Sequence, residues 1–276
     1  MDRGAPPALE GSPLEEDAML ASRSIDVLKR VLDQYIVPRL VLSHPHAVRP
    51  PIEEAAVAGR VADMTELALQ SEDALSREVL LRLKDDGIPH DTLQLGLLAP
   101  VADCLGRLWR EDQIDILDVT IATNSLIRSM RFVSIELDRL PRAHEGGVSI
   151  LLAPAPGEIH NFGAAMAAEF FRRGGWQVTY LPGPDHDELI ASVAAQPFEV
   201  IGLSLTSAAG LGALTQSIAA LRRQSRNPDI VVIVGGPVFA ADPALVTAVG
   251  ADAAIAAVEA APAATRRVLR QISELR

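Results

Sequence analysis

Two different hydrophobic patterns divide the chain. From about residue 28 to residue 140, apolar residues recur at intervals of three and four, which is the spacing of amphipathic helices. Proline, glycine and capping residues separate these stretches, and no strand pattern interrupts them. The first half is therefore predicted to be a helical bundle. Its helices are predicted near residues 28–40, 53–69, 71–84, 92–109 and 115–140.

The pattern changes after residue 147, where short apolar runs alternate with helical stretches. Such uniformly apolar strands, alternating with helices, indicate a parallel sheet that is covered on both faces. We expect five strands in the flavodoxin-like order 2-1-3-4-5. The strands are predicted over residues 148–153, 177–181, 200–205, 230–234 and 253–256. The helices are predicted over residues 162–173, 187–195, 210–223, 243–249 and 259–275.

Together the patterns predict an α + α/β chain with three parts. Residues 1–18 contain three prolines and two glycines and are predicted to be a disordered tail. Residues 19–143 are predicted to form the helical bundle domain. Residues 144–276 are predicted to form an α/β domain around the flavodoxin-like, Rossmann-like five-stranded sheet.

Composition and charge narrow the possible functions. The 276 residues include a single cysteine, Cys104, which excludes a disulfide framework and a cysteine metal cluster and suits a reducing cytoplasm. No apolar run reaches the length of a membrane span, so we expect a cytoplasmic protein without a membrane partner. The net charge of −11 disfavours direct binding to DNA, because acidic proteins repel the phosphate backbone.

The candidate chemistry begins in the loop after the first predicted strand, which reads Glu158-Ile159-His160-Asn161-Phe162-Gly163. Open α/β sheets bind ligands at this end of their strands. A carboxylate two residues before a histidine can hold one ring nitrogen and present the other as a metal ligand. Gly163 allows close approach of a bulky group to the backbone.

Two further stretches of small residues follow the third and fourth predicted strands. They read Gly202-Leu203-Ser204-Leu205-Thr206 and Gly235-Gly236-Pro237. In the expected strand order, strands 1, 3 and 4 are neighbours, so these stretches and the small residues Gly163, Ala164 and Ala165 should converge. No phosphate-binding glycine motif of the dinucleotide or P-loop type is present.

In order and spacing, the three stretches resemble the cobalamin-binding domain, whose motifs are Asp-x-His-x-x-Gly, then Ser-x-Leu or Ser-x-Thr, then Gly-Gly. The resemblance implies that His160 is the lower axial ligand of cobalt and that Glu158, here in place of aspartate, orients it. It also implies a slot for the nucleotide tail of the corrinoid. Ser204, Thr206, Gly235 and Gly236 are expected to line this tail slot. The other residues expected to bind the cofactor are Asn161, Phe162, Gly163, Leu205 and Pro237.

Part of the helical region resembles the cap bundle of methionine synthase and of the light-responsive regulator CarH. The matching stretches are Leu98-Ala99-Pro100, Leu105-Gly106-Arg107-Leu108-Trp109 and Asp118-Val119-Thr120. The resemblance implies that Trp109 covers the upper face of the corrin. Val119 stands where many relatives carry a histidine, so an apolar upper face is expected.

Softer matches resemble the PpaA/AerR branch, regulators of photosynthesis genes in purple bacteria. These matches are Val37-Pro38-Arg39-Leu40, Leu105-Gly106 with Trp109 and Asp112, and Leu117-Asp118-Val119-Thr120-Ile121. This branch implies a light- or redox-responsive antirepressor that acts on a repressor protein of the PpsR/CrtJ type. It implies neither catalysis nor direct DNA binding, and it leaves the oligomeric state open.

Two alternatives stay open beside the regulator. One is a corrinoid protein that carries a methyl group between two methyltransferases, since the same motifs serve both functions. The other is a haem-binding redox sensor on the same scaffold. A directly DNA-binding regulator of the CarH kind is disfavoured, because the short acidic segment before residue 20 leaves no room for a helix-turn-helix.

The remaining candidate ligands are expected to be structural. His90 is predicted to be a surface or capping residue, and Asp91 is predicted to cap the helix that begins at Thr92. His186 is assigned to a helix-start turn, and Cys104 to the core of the bundle. His44, His46 and His144 are given no ligand role.

Overall fold

The computed structural model describes residues 57–137 and 147–274. The predicted tail, the predicted helix over residues 28–40 and nearly all of the linker between the domains lie outside the described residues. Within them the predicted fold class is confirmed: a helical region precedes a five-stranded parallel sheet with helices on both faces.

Among the described residues, the helical region consists of four helical rods. Two of them carry a π-helical segment that the hydrophobic spacing did not reveal. In the part of the chain that the structure describes, each helix lacks the length or the apolar character needed to cross a lipid bilayer. The rods are α1 (Val61–Leu69), α2 (Asp73–Asp85), a π segment (Thr92–Leu98) that runs into α3 (Ala99–Arg110), and α4 (Ile116–Phe132), which runs into a second π segment (Val133–Leu137).

The second domain alternates strands and helices as expected. Its strands are β1 (Ser149–Pro154), β2 (Gln177–Tyr180), β3 (Val200–Ser204), β4 (Val231–Gly235) and β5 (Ala253–Ile255). Its helices are α5 (Phe162–Arg173), α6 (His186–Ala195), α7 (Leu211–Gln224), α8 (Pro237–Ala241), α9 (Leu245–Ala248) and α10 (Ala261–Glu274), with a 3₁₀ turn (Ala208–Gly210) before α7.

The strand order is β2-β1-β3-β4-β5, with every neighbouring pair parallel, so the predicted topology is confirmed. The register aligns Leu152 with Gly202, and Gly202 with Ile233, across the three central strands. Because side chains alternate along a strand, these three residues point to one face of the sheet. That face packs against α5 and α10, whereas the opposite face packs against α6, α7 and α9.

Helix α5 is buried on two sides and joins the two domains. Ala168 and Phe171 pack against the sheet. Ala165, Met166 and Phe170 instead belong to the apolar core of the bundle. The helix that begins next to the His160 loop is therefore held between the bundle and the sheet, which fixes the position of that loop relative to both.

Three sequence predictions are corrected in these regions. His90 is buried, with its ring edge-on to Phe170, because the bundle docks onto α5 at this point. Asp91 makes no helix-capping hydrogen bond and instead pairs with Arg173 of the sheet domain. Cys104 is only half-buried, not fully in the core.

Two further details differ from the predicted elements. The helix α8 was not predicted, because Gly235-Gly236-Pro237 was interpreted as a loop; Pro237 instead occupies the first helical position, where a missing N–H costs nothing. His186 is the first residue of α6, as expected for a helix-start turn, and its Nδ1 lies 3.0 Å from the Ser217 hydroxyl.

Truncating the docked core should destabilise the ligand-free protein. Leu97 is 0% exposed within the core shared by the bundle and α5, so Leu97→Ala should cost about 2–5 kcal/mol of unfolding free energy. Leu117 is 67% exposed, and Leu117→Ala should change stability by less than about 0.5 kcal/mol. Chemical denaturation followed by circular dichroism measures both. Equal effects of the two substitutions would contradict the assigned core.

Candidate functional site

The His160 loop is organised by the carboxylate of Glu158. One oxygen, Oε1, lies 2.6 Å from the His160 ring nitrogen Nδ1 and accepts the His160 backbone N–H at 2.9 Å. The other oxygen accepts the backbone N–H of Thr206 at 2.7 Å. An ionised carboxylate only accepts hydrogen bonds, so Nδ1 carries the proton and Nε2 of the neutral ring keeps a free lone pair. That nitrogen is suited to coordinate a metal.

The two members of this pair differ in exposure. The Glu158 side chain is 5% exposed, whereas the His160 side chain is 53% exposed. Burial alone would raise the pKa of the Glu158 carboxyl, but the backbone N–H groups of His160 and Thr206 and the His160 ring together hold that pKa below its ordinary value. Glu158 therefore remains an anion and a fixed acceptor for the histidine.

A tyrosine on β2 supports the other end of the same loop. The Tyr180 hydroxyl donates to the carbonyl of Asn161, 3.2 Å away, where α5 begins. Burial raises the pKa of Tyr180 to about 12, so this hydroxyl stays protonated and remains a donor. The loop is thus tied to β2 through Asn161 and to the end of β3 through Glu158.

Trp109 lies next to His160, although 51 positions separate the two residues in the sequence. Trp109 sits in the last turn of α3. Its ring centroid is 6.4 Å from that of the imidazole, and the planes are inclined by 55°. The bundle therefore places one large aromatic ring beside the exposed histidine.

A cavity of about 250 Å³ lies on the α5 side of the sheet and reaches His160 at its mouth. Its floor is formed by the three residues aligned across the central strands, Leu152, Gly202 and Ile233. A Cβ atom on Gly202 would come within 2.5 Å of Leu152 Cδ2, so the glycine leaves room for the Leu152 side chain in its present position. The lining is predominantly apolar.

Gly236 shapes the opposite rim of the cavity. Its φ is +112°, and a Cβ atom there would lie 2.2 Å from the carbonyl oxygen of Leu205. Only glycine combines that backbone angle with this close approach between the ends of β3 and β4. The Gly235-Gly236 pair therefore brings the two strand ends together at the cavity.

One polar atom in the cavity has no protein partner. The Ser204 hydroxyl is buried, and the described residues offer it no hydrogen bond. Buried hydroxyls are normally paired, so a ligand atom is the natural partner for this one. The volume lies somewhat below the range of about 300–1,000 Å³ that encloses drug-sized ligands, which suits one ring-bearing arm of a larger molecule. The donor set and the cavity thus fit a corrinoid with an inserted tail.

The structure brings most of the predicted site residues together. Eight of them line the cavity: His160, Phe162, Gly163, Ser204, Thr206, Gly235, Gly236 and Pro237. Glu158 and Asn161 support the His160 loop instead, and Trp109 lies above it. The Leu205 side chain packs into the core on the opposite face of the sheet, next to Gly210, so it does not line the cavity. Ala165 faces the bundle.

Several lining residues were not predicted because they lack polar chemistry. Leu152 and Phe171 read as ordinary core positions, and only the strand register shows that they face an opening. Val258 and Ala261 come from the segment at the start of α10. In the sequence, only their position after the carboxyl end of the last strand could have indicated that they line the cavity.

Comparison with protein families agrees with this geometry. Residues 148–265 match the family described as the B12 binding domain. The matched residues comprise the whole five-stranded sheet and every loop around the cavity. The sheet domain is thus a cobalamin-binding domain, and the match favours cobalamin over the haem alternative. No curated protein sequence matches the chain.

Three solved structures are similar to this chain at low sequence identity, and the first has the same fold. The monomethylamine corrinoid protein of Methanosarcina barkeri is 15% identical, with a TM-score of 0.59 over 75% of this chain and 96% of that chain. A cobalamin-binding protein from Desulfitobacterium hafniense DCB-2 is 20% identical, with a TM-score of 0.40 over 75% and 98%. The methanol:cobalamin methyltransferase complex MtaBC of Methanosarcina barkeri gives 17% identity and a TM-score of 0.39 over 91% and 95%.

Filling the cavity should block cobalamin without unfolding the protein. A Cβ atom on Gly163 meets no described atom within 4 Å, so Gly163→Leu should fold and extend its side chain into the cavity. We expect affinity for hydroxocobalamin to fall roughly tenfold or more. Gly212→Leu is the matched control, since Gly212 also lies in the first turn of a helix and is exposed and unobstructed. Unchanged affinity in a folded Gly163→Leu variant would rule the cavity out as the tail slot.

The Glu158 carboxylate should make the loop sensitive to acid. Because its pKa is lowered on folding, it contributes stability above the ordinary carboxyl pKa, and this is lost as pH falls through the lowered value. Glu158→Gln should therefore be less stable than wild type at about pH 7, with the gap shrinking towards about pH 3. Denaturation at both pH values measures the gap. A gap that stays constant would show that the charge of Glu158 does not stabilise the folded state.

Proposed function

We propose that this chain, whose sheet domain is a cobalamin-binding domain, is a cobalamin-responsive regulator without catalytic machinery of its own. The observation that carries the proposal is the hydrogen-bonded pair of Glu158 and His160 at the mouth of the cavity, with Trp109 beside it. One exposed, oriented imidazole suits a lower axial ligand. The enclosed cavity beneath it suits a displaced nucleotide tail.

Each residue then has a defined role in holding the cofactor. Nε2 of His160 would hold the cobalt, and Glu158 keeps the proton on Nδ1. The Ser204 hydroxyl is available to hydrogen-bond the tail, and the glycines of β3 and β4 make room for it. When bound, cobalamin supplies a cobalt centre whose upper ligand can change with light or redox conditions.

The bundle residues that match the cap motif favour sensing over catalysis. The carboxylate of Asp118 is engaged in capping α4, where it accepts the Asp115 backbone N–H at 3.0 Å. Val119, which stands in place of a histidine, is half-buried and cannot exchange protons. Trp109 supplies bulk and no acid–base group. These residues would detect the size of an upper ligand without reacting with it.

A protein partner would respond to the change in the upper ligand of cobalt. The resemblance to the PpaA/AerR branch points to a transcriptional repressor of the PpsR/CrtJ type, which the regulator would relieve as an antirepressor. The net charge of −11 opposes direct contact with DNA and does not oppose contact with a DNA-binding protein. A change at the upper ligand would shift the bundle against the sheet domain and so alter the surface offered to the repressor.

A methyl carrier is the second candidate function. The fold similarity to a corrinoid protein of Methanosarcina barkeri covers both the bundle and the sheet domain, so the same scaffold suits either role. The two functions differ in what meets the upper face. A carrier requires a methyltransferase that docks there, whereas a regulator requires a repressor that responds to the cobalt state.

Repressor binding in the presence of different cobalamins tests the proposal. The purified protein should bind a PpsR/CrtJ-type repressor, and its affinity should change several-fold between the ligand-free and hydroxocobalamin-bound forms. His160→Ala should abolish that difference and alter the visible spectrum of any cobalamin still bound. Calorimetric titration with repressor and with bare promoter DNA measures both. Cobalamin-independent repressor binding, or tight DNA binding at physiological salt, would contradict the regulator, and methyl transfer to an added methyltransferase would favour the carrier.

A further inference from the structure

The two domains touch at both ends of α5. Near its beginning, His160 meets Trp109 of the bundle. At its end, Arg173 Nη1 lies 2.6 Å from Asp91 Oδ1, just before the π segment that runs into α3. Twelve residues of α5 span about 18 Å, so the two contacts are far apart. We call the Asp91–Arg173 pair the distal clamp.

An apolar layer fills the space between the two contacts. Leu97 and Leu105 on the bundle side pack in the same core as Met166 and Phe170 of α5. At the distal end, the buried His90 ring lies edge-on to Phe170 with a centroid distance of 6.4 Å. The helices therefore run in opposite directions as one packed unit, with the clamp at one end and Trp109 over His160 at the other.

The observed spacing at the Trp109 end is too narrow for a ligated corrin. An imidazole that holds cobalt through Nε2 would meet the corrin edge-on, and Trp109 in van der Waals contact with the other face would then put the two ring centroids roughly 6.5–7 Å apart, with no room for an upper ligand. The centroids of Trp109 and His160 are 6.4 Å apart, and an upper ligand on cobalt would require still more room. If Trp109 is to cover a corrin that His160 holds, the bundle must first move away from the sheet domain at this end.

Such a movement affects the distal clamp. The bundle packs along α5 through one continuous apolar cluster, so separation at the Trp109 end would tilt the bundle against the whole helix. The clamp is a short, charge-assisted hydrogen bond at 2.6 Å, and hydrogen bonds weaken when stretched by more than a few tenths of an ångström. Its energy therefore favours the closed arrangement over the open one.

We propose that Asp91 and Arg173 are positioning residues that control how readily the bundle opens to admit cobalamin. The inference rests on the proposed role of His160, since it concerns access to that residue. Neither clamp residue touches the cavity. Weakening the clamp populates the open arrangement, and the association rate rises in proportion to the open fraction.

Stopped-flow mixing of the full chain with hydroxocobalamin tests this inference. Arg173→Gln and Asp91→Asn should each raise the association rate constant about two- to fivefold, the range expected for losing a partly exposed ion pair. Asp91→Asn also alters the contact between the Asp91 carboxylate and the His90 ring, 3.4 Å away, so Arg173→Gln is the decisive variant. Arg173→Lys should have a smaller effect. The absorption spectrum of the bound cobalamin should not change, since the clamp lies outside the site.

Arg128→Gln is the matched control. Arg128 Nε pairs with Asp73 Oδ2 at 2.6 Å, but both residues belong to the bundle, so this substitution removes an equivalent ion pair without unlinking the domains. Its association rate should equal that of wild type. An equal rate increase in Arg128→Gln, or an unchanged or slower rate in Arg173→Gln, would show that the distal clamp does not control the opening of the bundle.

A measurement on the ligand-free protein separates this inference from the proposed function. The chain has two tryptophans, and Trp176 is buried within the sheet domain, so acrylamide quenching reports mainly on Trp109. Quenching should increase in Arg173→Gln and stay unchanged in Arg128→Gln. If the wild-type protein does not bind cobalamin, the proposed function is wrong, and the quenching measurement still tests the distal clamp. Equal quenching in Arg173→Gln and Arg128→Gln would then show that the Asp91–Arg173 pair does not hold the bundle closed.

Discussion

The site depends on one buried carboxylate. Glu158 accepts hydrogen bonds from the loop after β1 and from the loop after β3, so it connects two strand ends that are distant in sequence. The same carboxylate fixes the tautomer of His160 and turns the free ring nitrogen outwards. Without it, the loop would keep its Tyr180 hydrogen bond at Asn161, but the imidazole would lose the acceptor that orients it.

Helix α5 carries this arrangement into the rest of the molecule. It starts beside His160, packs against the sheet on one side and against the bundle on the other, and ends at the Arg173 contact. A change at the histidine therefore has a rigid route to the bundle through a single packed helix. This layered construction makes a two-domain response to a small ligand physically plausible, since packed cores move as units and do not deform gradually.

The fold and much of the site followed from the sequence. Apolar strand runs placed β1, β3 and β4 side by side, which is why the small-residue stretches at Gly163, Ser204 and Gly235 converge as predicted. The bounds of α5 also agree with the spacing of its apolar residues. These features depend on local patterns and on the known geometry of parallel sheets.

The misjudged features depend on docking between domains, which a local pattern cannot show. His90 was predicted to be a surface residue because its packing partner, Phe170, is distant in the sequence. Asp91 looked like a helix cap because its partner, Arg173, lies 82 positions away. Leu205 lies within a motif stretch just after β3, but its side chain packs into the core on the face of the sheet opposite the cavity, which the resemblance alone did not resolve.

In the proposed site, His160 replaces the corrinoid's own base as the lower ligand of cobalt. Electron paramagnetic resonance of the bound cobalt(II) form tests this role directly, with the protein labelled with nitrogen-15 at its six histidines. We expect hyperfine doublets from one labelled nitrogen, and these should disappear in His160→Gln. Triplets from unlabelled nitrogen in the wild-type complex would show that the corrinoid keeps its own base and that His160 is not the ligand.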